Sequence, residues 1–159
     1  MSRRTLAIAV VIFGLFAAWM VFRSRPPPSD EDLIRAAIHD LGRLAERHDV
    51  SGIIEHVSER YRGEAGDRQE LKGYLAAYLM RADWVGVMEA KVAVEVKGDR
   101  ATSSFTALLL RSPAASLADV HPEGLAGSHL IEAEWVKEEA GWKILKATRR
   151  DATTSDWLK

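Results

Sequence analysis

His129, Tyr74 and Tyr78 are the side chains of this sequence best suited to proton chemistry. Histidine titrates near neutral pH and can act as a base or orient a ligand, and a tyrosine hydroxyl can donate to an oxyanion. His129 opens an alternating run to Lys137 and shares one face with Ile131, Ala133 and Trp135. Tyr74 and Tyr78 belong to a series with Leu71, Leu75 and Leu79 whose spacing marks a single helical face. Each also has a structural reading: the histidine as an amphipathic residue at a strand end, the tyrosines as core rings with satisfied hydroxyls. His56, Tyr61, Ser103 and Lys146 are weaker candidates, and a lysine on an apolar face usually extends its amine to the edge.

Other chemistries find little support. His39, His48, His56, His121 and His129 lack the spacing that puts two ligands on one face, so no metal is expected. The absence of cysteine excludes disulfides, thiolate metal sites and a cysteine nucleophile. The glycines form no phosphate-binding loop, and no cofactor is expected.

The stretch that positions these residues is Val85 to Leu110. A turn at Gly98-Asp99 would set Val96 against Ala101, Val94 against Ser103, Val92 against Phe105, Ala90 against Ala107 and Met88 against Leu109, all on one face. Glu89, Lys91, Glu95, Thr102, Ser104 and Thr106 would then lie on the other, and Gly98 would supply the positive φ of a two-residue turn. A second hairpin, His129–Lys137 with Trp142–Thr148 around Glu138–Gly141, is read with Trp135 opposite Ile144. That register puts Lys146 and Thr148 on the face of His129, and Glu132, Glu134, Lys143 and Arg149 on the other. The positions expected to line a pocket are Val92, Val94, Ser103, Phe105, Ile131 and Trp135. Between the hairpins, Arg111 to Ser128 reads as a long irregular loop.

Three helices precede the sheet. Ser29 and Asp32 form a capping box, followed by a stripe of Leu33, Ile34, Ala37, Ile38, Leu41, Leu44, Ala45 and His48. Asp49 or Ser51 caps a shorter helix carrying Ile53, Ile54 and Val57, and Asp67 with Glu70 opens the helix of the two tyrosines. Ser58 to Gly66 is a polar connection.

Residues 1–28 are of another kind. Leu6 to Phe22 is 17 residues without a charge, about 26 Å as a helix, near the lower limit for crossing a bilayer. No small-x-small cleavage site follows, so an uncleaved signal anchor is favoured over a cleaved signal peptide. Two arginines precede the segment and two follow it, and Asp30, Glu31 and Asp32 come next. The expected topology puts the amino terminus inside and the domain in the periplasm, with a cytoplasmic domain as the alternative. Pro26 to Pro28 form a stiff spacer. Beyond Ser29 the 18 basic and 23 acidic residues give −5, which argues against a nucleic-acid partner. The expected organisation is an anchor and spacer over 1–28, a domain over 29–150 and a polar tail over 151–159.

This order of elements, the GDRA turn and the closing EEAGWKIL resemble the nuclear transport factor 2-like superfamily, also called SnoaL-like or cystatin-like, over Ser29 to Arg149. The resemblance implies an α+β fold in which three helices pack on a curved antiparallel sheet of about four strands around a conical pocket. It also implies dimers through the outer sheet face. Enzymes of the superfamily, among them isomerases, cyclases and dehydratases, place an Asp or His base and a Tyr or Asp oxyanion donor in the cone. The inward positions read here include no carboxylate. The leading expectation is therefore a membrane-anchored binding or assembly module with an apolar pocket, its partner a small apolar ligand or an envelope protein. The alternative is an enzyme using His129 with Tyr74 or Tyr78. In architecture alone, a tethered domain of this kind resembles the periplasmic scaffold subunit of type IV secretion systems.

Overall fold

The computed structural model describes residues 27–159 apart from Ala115, Thr154 and Lys159. The expected anchor Leu6 to Phe22 lies outside the described residues, and among those residues no helix is long and apolar enough to cross a membrane.

Helix α1, Asp30–Glu46, starts at the anticipated capping box, with the Ser29 hydroxyl accepting from the Asp32 amide. It buries Ile34, Ile38 and Gly42, while Leu33 is exposed, so the inward stripe is narrower than the sequence pattern drew it. Asp49 caps α2, Val50–Glu55. Arg68 donates to the carbonyls of Val57 and Ile54, satisfying groups that the end of α2 leaves open. The connection Ser58 to Gly66 carries a small ribbon, β1 (Arg62–Gly63) with β2 (Gly66–Asp67). Asp67 and Glu70 then form the second capping box and open α3, Arg68–Leu79.

The main sheet is antiparallel, ordered β3-β4-β5-β6, with β3 Gly86–Lys97, β4 Arg100–Leu110, β5 Leu125–Glu138 and β6 Gly141–Asp151. Gly98 has φ 65° in the two-residue turn between Lys97 and Arg100. Both later strands run longer than the sequence pattern suggested, and the intervening loop is correspondingly shorter, broken by two 3-10 turns. Trp142 Nε1 and Lys137 Nζ both donate to Asp30, tying the start of α1 to the last hairpin.

The two edge strands depart from simple alternation. In β3 the pairing skips from Ala90↔Thr106 to Ala93↔Ser104, so Lys91 and Val92 together face Phe105. Lys91 takes φ 51°, which costs a non-glycine residue energy, and its amine donates to the Ser155 carbonyl. In β6 the pairing skips from Trp135↔Ile144 to Glu134↔Lys146, leaving Leu145 unpaired. Ile144 is also held on its free edge, where its amide donates to His56 and its carbonyl accepts from Ser58.

Each bulge reverses the faces beyond it, because side chains alternate with period two. The expected pairs Ala90–Ala107 and Met88–Leu109 give way to Glu89↔Ala107 and Val87↔Leu109. Ala90 instead packs on the outer face with Leu108 and Leu110, against Met88, Val120 and Leu125. Lys146 and Thr148, expected inside, lie outside, where Lys146 pairs with Glu134. Glu89 and Arg149, expected outside, turn inward.

The end of the chain also packs on the outer face. A short helix α4, Ser155–Leu158, accepts at the Asp156 carbonyl from Thr106, and Asp156 pairs with Arg150. The outer face away from it is polar, with Thr102, Ser104, Glu132 and Glu134.

Candidate functional site

The inner sheet face and the three helices border a half-open cavity of about 240 Å3. Ile38, Leu41, Leu75 and Leu79 form the helical wall, and Phe105, Leu109, Ile131 and Trp135 the sheet wall. Trp84 closes one side. Val92, Val94 and Ser103 do not border the cavity; the two valines pack against the main core and Ser103 is buried, its hydroxyl accepting from Trp135 Nε1 at 2.8 Å. The hairpin tip that carries them sits over the start of α1, whose Ile34 and Ile38 fill that end.

Polar groups enter this apolar space at few points. Glu89, Ala107, His129 and Asp151 form one row across the four strands. Glu89 and His129 both face the cavity, separated by the small Ala107. Neighbouring strands lie about 4.8 Å apart, so the backbones of Glu89 and His129 stand roughly 10 Å apart, with room for a small molecule between their side chains.

Gly42 makes the Glu89 position available. A Cβ at Gly42 would fall 1.9 Å from Glu89 Oε1, so a methyl group on α1 would displace the carboxyl. Glu89 is only 12% exposed and lies 3.3 Å from His39 Nδ1, itself 71% exposed. Burial lifts the Glu89 carboxyl above its ordinary value, against a downward pull from His39. The folded chain therefore holds this proton more tightly than the unfolded one, and stability from this residue falls as pH rises from 4.5 through the raised value. Glu89→Gln is expected to be more stable than wild type by on the order of 1 kcal/mol at neutral pH. The gain should vanish below pH 4.5, and urea melts across the pH range measure it.

His129 has partners that the sequence did not reveal. Nδ1 lies 3.1 Å from Asp151 Oδ1 and Nε2 lies 3.4 Å from the Tyr78 hydroxyl, so Nδ1–H donates to the carboxylate and Nε2 accepts from tyrosine. Burial first and Arg149 second lower its pKa, against Asp151, which favours the neutral imidazole at pH 7. Burial likewise raises the Tyr78 hydroxyl. Tyr74 is exposed at the mouth, not buried on the helix stripe, and stacks on Tyr78 with centroids 6.2 Å apart. The Arg149 guanidinium lies 5.2 Å from the Tyr78 ring and 6.0 Å from that of Tyr74. Outside this mouth a shallow vestibule is bordered by Tyr74, Tyr78, Arg81, Asp83, His129 and Asp151.

The remaining candidates serve structure. His56 Nε2 lies 3.1 Å from Asp40, whose pKa it lowers, and the buried Tyr61 hydroxyl is hydrogen-bonded to the backbone of Ala147. Among the described residues no cluster of histidine and carboxylate side chains is arranged to hold a metal.

No family model matches the chain, and no curated protein matches it in sequence. Solved structures do. An NTF2-like protein with a cystatin-like fold from Novosphingobium aromaticivorans is 19% identical with TM-score 0.60, over 89% of this chain and 92% of that one. A Nostoc punctiforme protein of unknown function with a cystatin-like fold is 14% identical with TM-score 0.60, over 77% and 90%. A Streptomyces avermitilis protein of the NTF2-like family, assigned as a candidate dehydratase, is 16% identical with TM-score 0.62, over 81% and 100%. At these identities the likeness speaks to architecture alone: the described domain has the NTF2-like, cystatin-like fold.

Proposed function

We propose that this protein is a membrane-anchored module that holds a small, largely apolar molecule in its cone. The half-open cavity of about 240 Å3, walled by aliphatic and aromatic side chains, carries the reading. Native mass spectrometry of the full chain ejected from lipid nanodiscs tests it. A reproducible organic adduct is the expected result. The reading fails if no adduct appears and small apolar probes cause no saturable change in tryptophan fluorescence, since Trp84 and Trp135 both border the cavity.

A second reading, proton-transfer catalysis, is favoured by one observation: Glu89 and His129 face each other across Ala107. In that reading substrate breaks the Tyr78–His129 hydrogen bond, the neutral imidazole takes a proton at Nε2, Glu89 in its protonated form returns one, and the freed Tyr78 hydroxyl donates to a developing oxyanion. Glu89→Gln and His129→Asn would then keep binding and lose turnover, whereas unchanged turnover in both would end the idea.

The anchor, Leu6 to Phe22, and a periplasmic domain complete the proposal, on the strength of the uncharged run and the charges flanking it. A phosphatase fused after Lys159 should be active, and inactivity of a stable fusion would reverse the orientation. A homodimer through the outer sheet face would use the polar stretch from Thr102 to Glu134, because α4 and the Arg111–Gly124 loop occupy the rest. Docking onto an envelope protein would use the same exposed stretch.

A further inference from the structure

We propose that the molecule held in the cone carries a carboxylate, received at the mouth by Arg149. This rests on the pocket reading above and adds the charge and position of the ligand's polar end.

The bulge at Leu145 is the first support. Without it, alternation from Ile144 would leave Arg149 on the outer face among Glu132 and Glu134; with it, Arg149 faces the mouth of an apolar cavity. Among the described residues its guanidinium makes no ion pair, and its neighbours are the rings of Tyr74 and Tyr78. The aromatic faces hold the guanidinium in place; one donor is directed at the Tyr78 hydroxyl and the others lie in its plane, the geometry a carboxylate accepts.

The surrounding charges agree in sign. The groups beside Arg149 at the mouth carry no negative charge: the Tyr78 hydroxyl and the neutral imidazole of His129. Asp151 is the carboxylate nearest His129; it is 94% exposed, so water screens it, and its Oδ1 is engaged by His129 Nδ1. Glu64 accepts from the Arg149 backbone amide, and Asp83 borders the vestibule near Tyr78. Glu89 lies across the row, on the other edge strand, with its protonated form favoured by burial. A ligand ammonium would find no free buried carboxylate at the mouth, whereas a carboxylate would find Arg149.

Size restricts the rest of the ligand. At about 30 Å3 per water in the liquid, the cavity compares with about eight waters, a space that suits a ring or short chain. The class is therefore a short aliphatic or aryl-alkanoic acid.

The test titrates the full chain in nanodiscs with hydrocinnamate and with its neutral counterpart, hydrocinnamyl alcohol, following tryptophan fluorescence with empty nanodiscs as blank. Wild type should prefer the acid by about tenfold or more, as a charge-assisted bidentate contact provides. Arg149→Met, which keeps an apolar stem, should bring the two affinities to parity, and Arg149→Lys should restore part of the preference. Should Arg149→Met not fold, a salt series on wild type reads the same charge, because salt should weaken the acid and leave the alcohol unchanged. Parity in wild type, or a preference that survives Arg149→Met, overturns the inference while the pocket stands. Failure of both compounds to bind overturns the inference and counts against the pocket itself.

Discussion

Trp135→Ala is expected to destabilise the domain by about 3–5 kcal/mol, read as a large fall in urea midpoint at unchanged slope. Trp135 is 1% exposed and sits in the main cluster with Phe105, Ala133 and Ile144. Its ring is the largest fully buried side chain of the domain's described residues, and removing it enlarges a cavity that already exists, so neighbouring side chains have little reason to collapse inward. A second loss adds to the first. Ser103 is buried, and its hydroxyl accepts from Trp135 Nε1, so alanine leaves that hydroxyl without a partner. Trp135→Phe separates the two, keeping most of the ring while removing the donor, and should cost about 1–2 kcal/mol. Pairing it with Ser103→Ala should recover part of that loss, since both partners of the bond are then gone. Against a total stability of about 5–15 kcal/mol typical of such domains, that is a large share, and at the lower end of the range it would unfold the domain. A change below about 1 kcal/mol would contradict the placement of this ring at the centre of the core.

The central architecture was legible because its signals were local or strictly periodic. Ser29 with Asp32 and Asp67 with Glu70 marked two helix starts, and Gly98 marked the first turn, each through chemistry confined to a few residues. In β4 and β5, flanked by strands on both sides, the pairing stays in register from Arg100↔Val136 to Leu109↔Gly127 and slips only at the Leu110 end, so Phe105, Ile131 and Trp135 were placed on the inner face correctly. The edge strands escaped the same reasoning. Alternation cannot choose between Met88 with Ala90 and Val87 with Glu89 as the inner pair, because the outer face there is itself apolar beneath the loop that brings Val120 and Leu125. The loop cover was invisible from the strand's own sequence. In β6 one signal was present: Ile144 and Leu145 are adjacent and apolar, which a strand with one dry face accommodates by a bulge.

The same two slips governed what could be read of the site. Glu89 and Arg149 were assigned to solvent, which made the cone look free of carboxylates, and both turn inward for the reason just given. His129 was singled out, yet its carboxylate partner was not, because Asp151 lies beyond the predicted end of the last strand and pairs with His129 only when β6 is three residues longer. Gly42 gave no signal as a residue of function. Its part is a missing methyl group opposite Glu89, visible only once helix and strand are set against each other.

Ala107→Leu is expected to lower affinity for any occupant of the cone by on the order of a hundredfold, about 2.7 kcal/mol. Ala107 is the small residue of the row that separates Glu89 from His129, and it borders the cavity. Leucine there projects its branch into the gap that a ligand would fill. Enlarging a residue in a close-packed core usually costs about 1–3 kcal/mol, because neighbours must leave their rotamers. Here the added carbons enter a void of about 240 Å3 instead, so the strain should be small and the gained apolar contact should offset it. Cavity filling of this kind commonly stabilises by about 0.5–2 kcal/mol. The two readouts should therefore move in opposite directions, with binding falling and the urea midpoint holding or rising. Ala107→Ser, which adds little volume, should leave binding within a fewfold of wild type. Loss of binding together with a lower midpoint would mean that leucine had distorted the sheet and that the space is not free. Retained binding with a raised midpoint would mean that the ligand sits in the vestibule by Tyr74 and Asp151, with the interior of the cone left to packing alone.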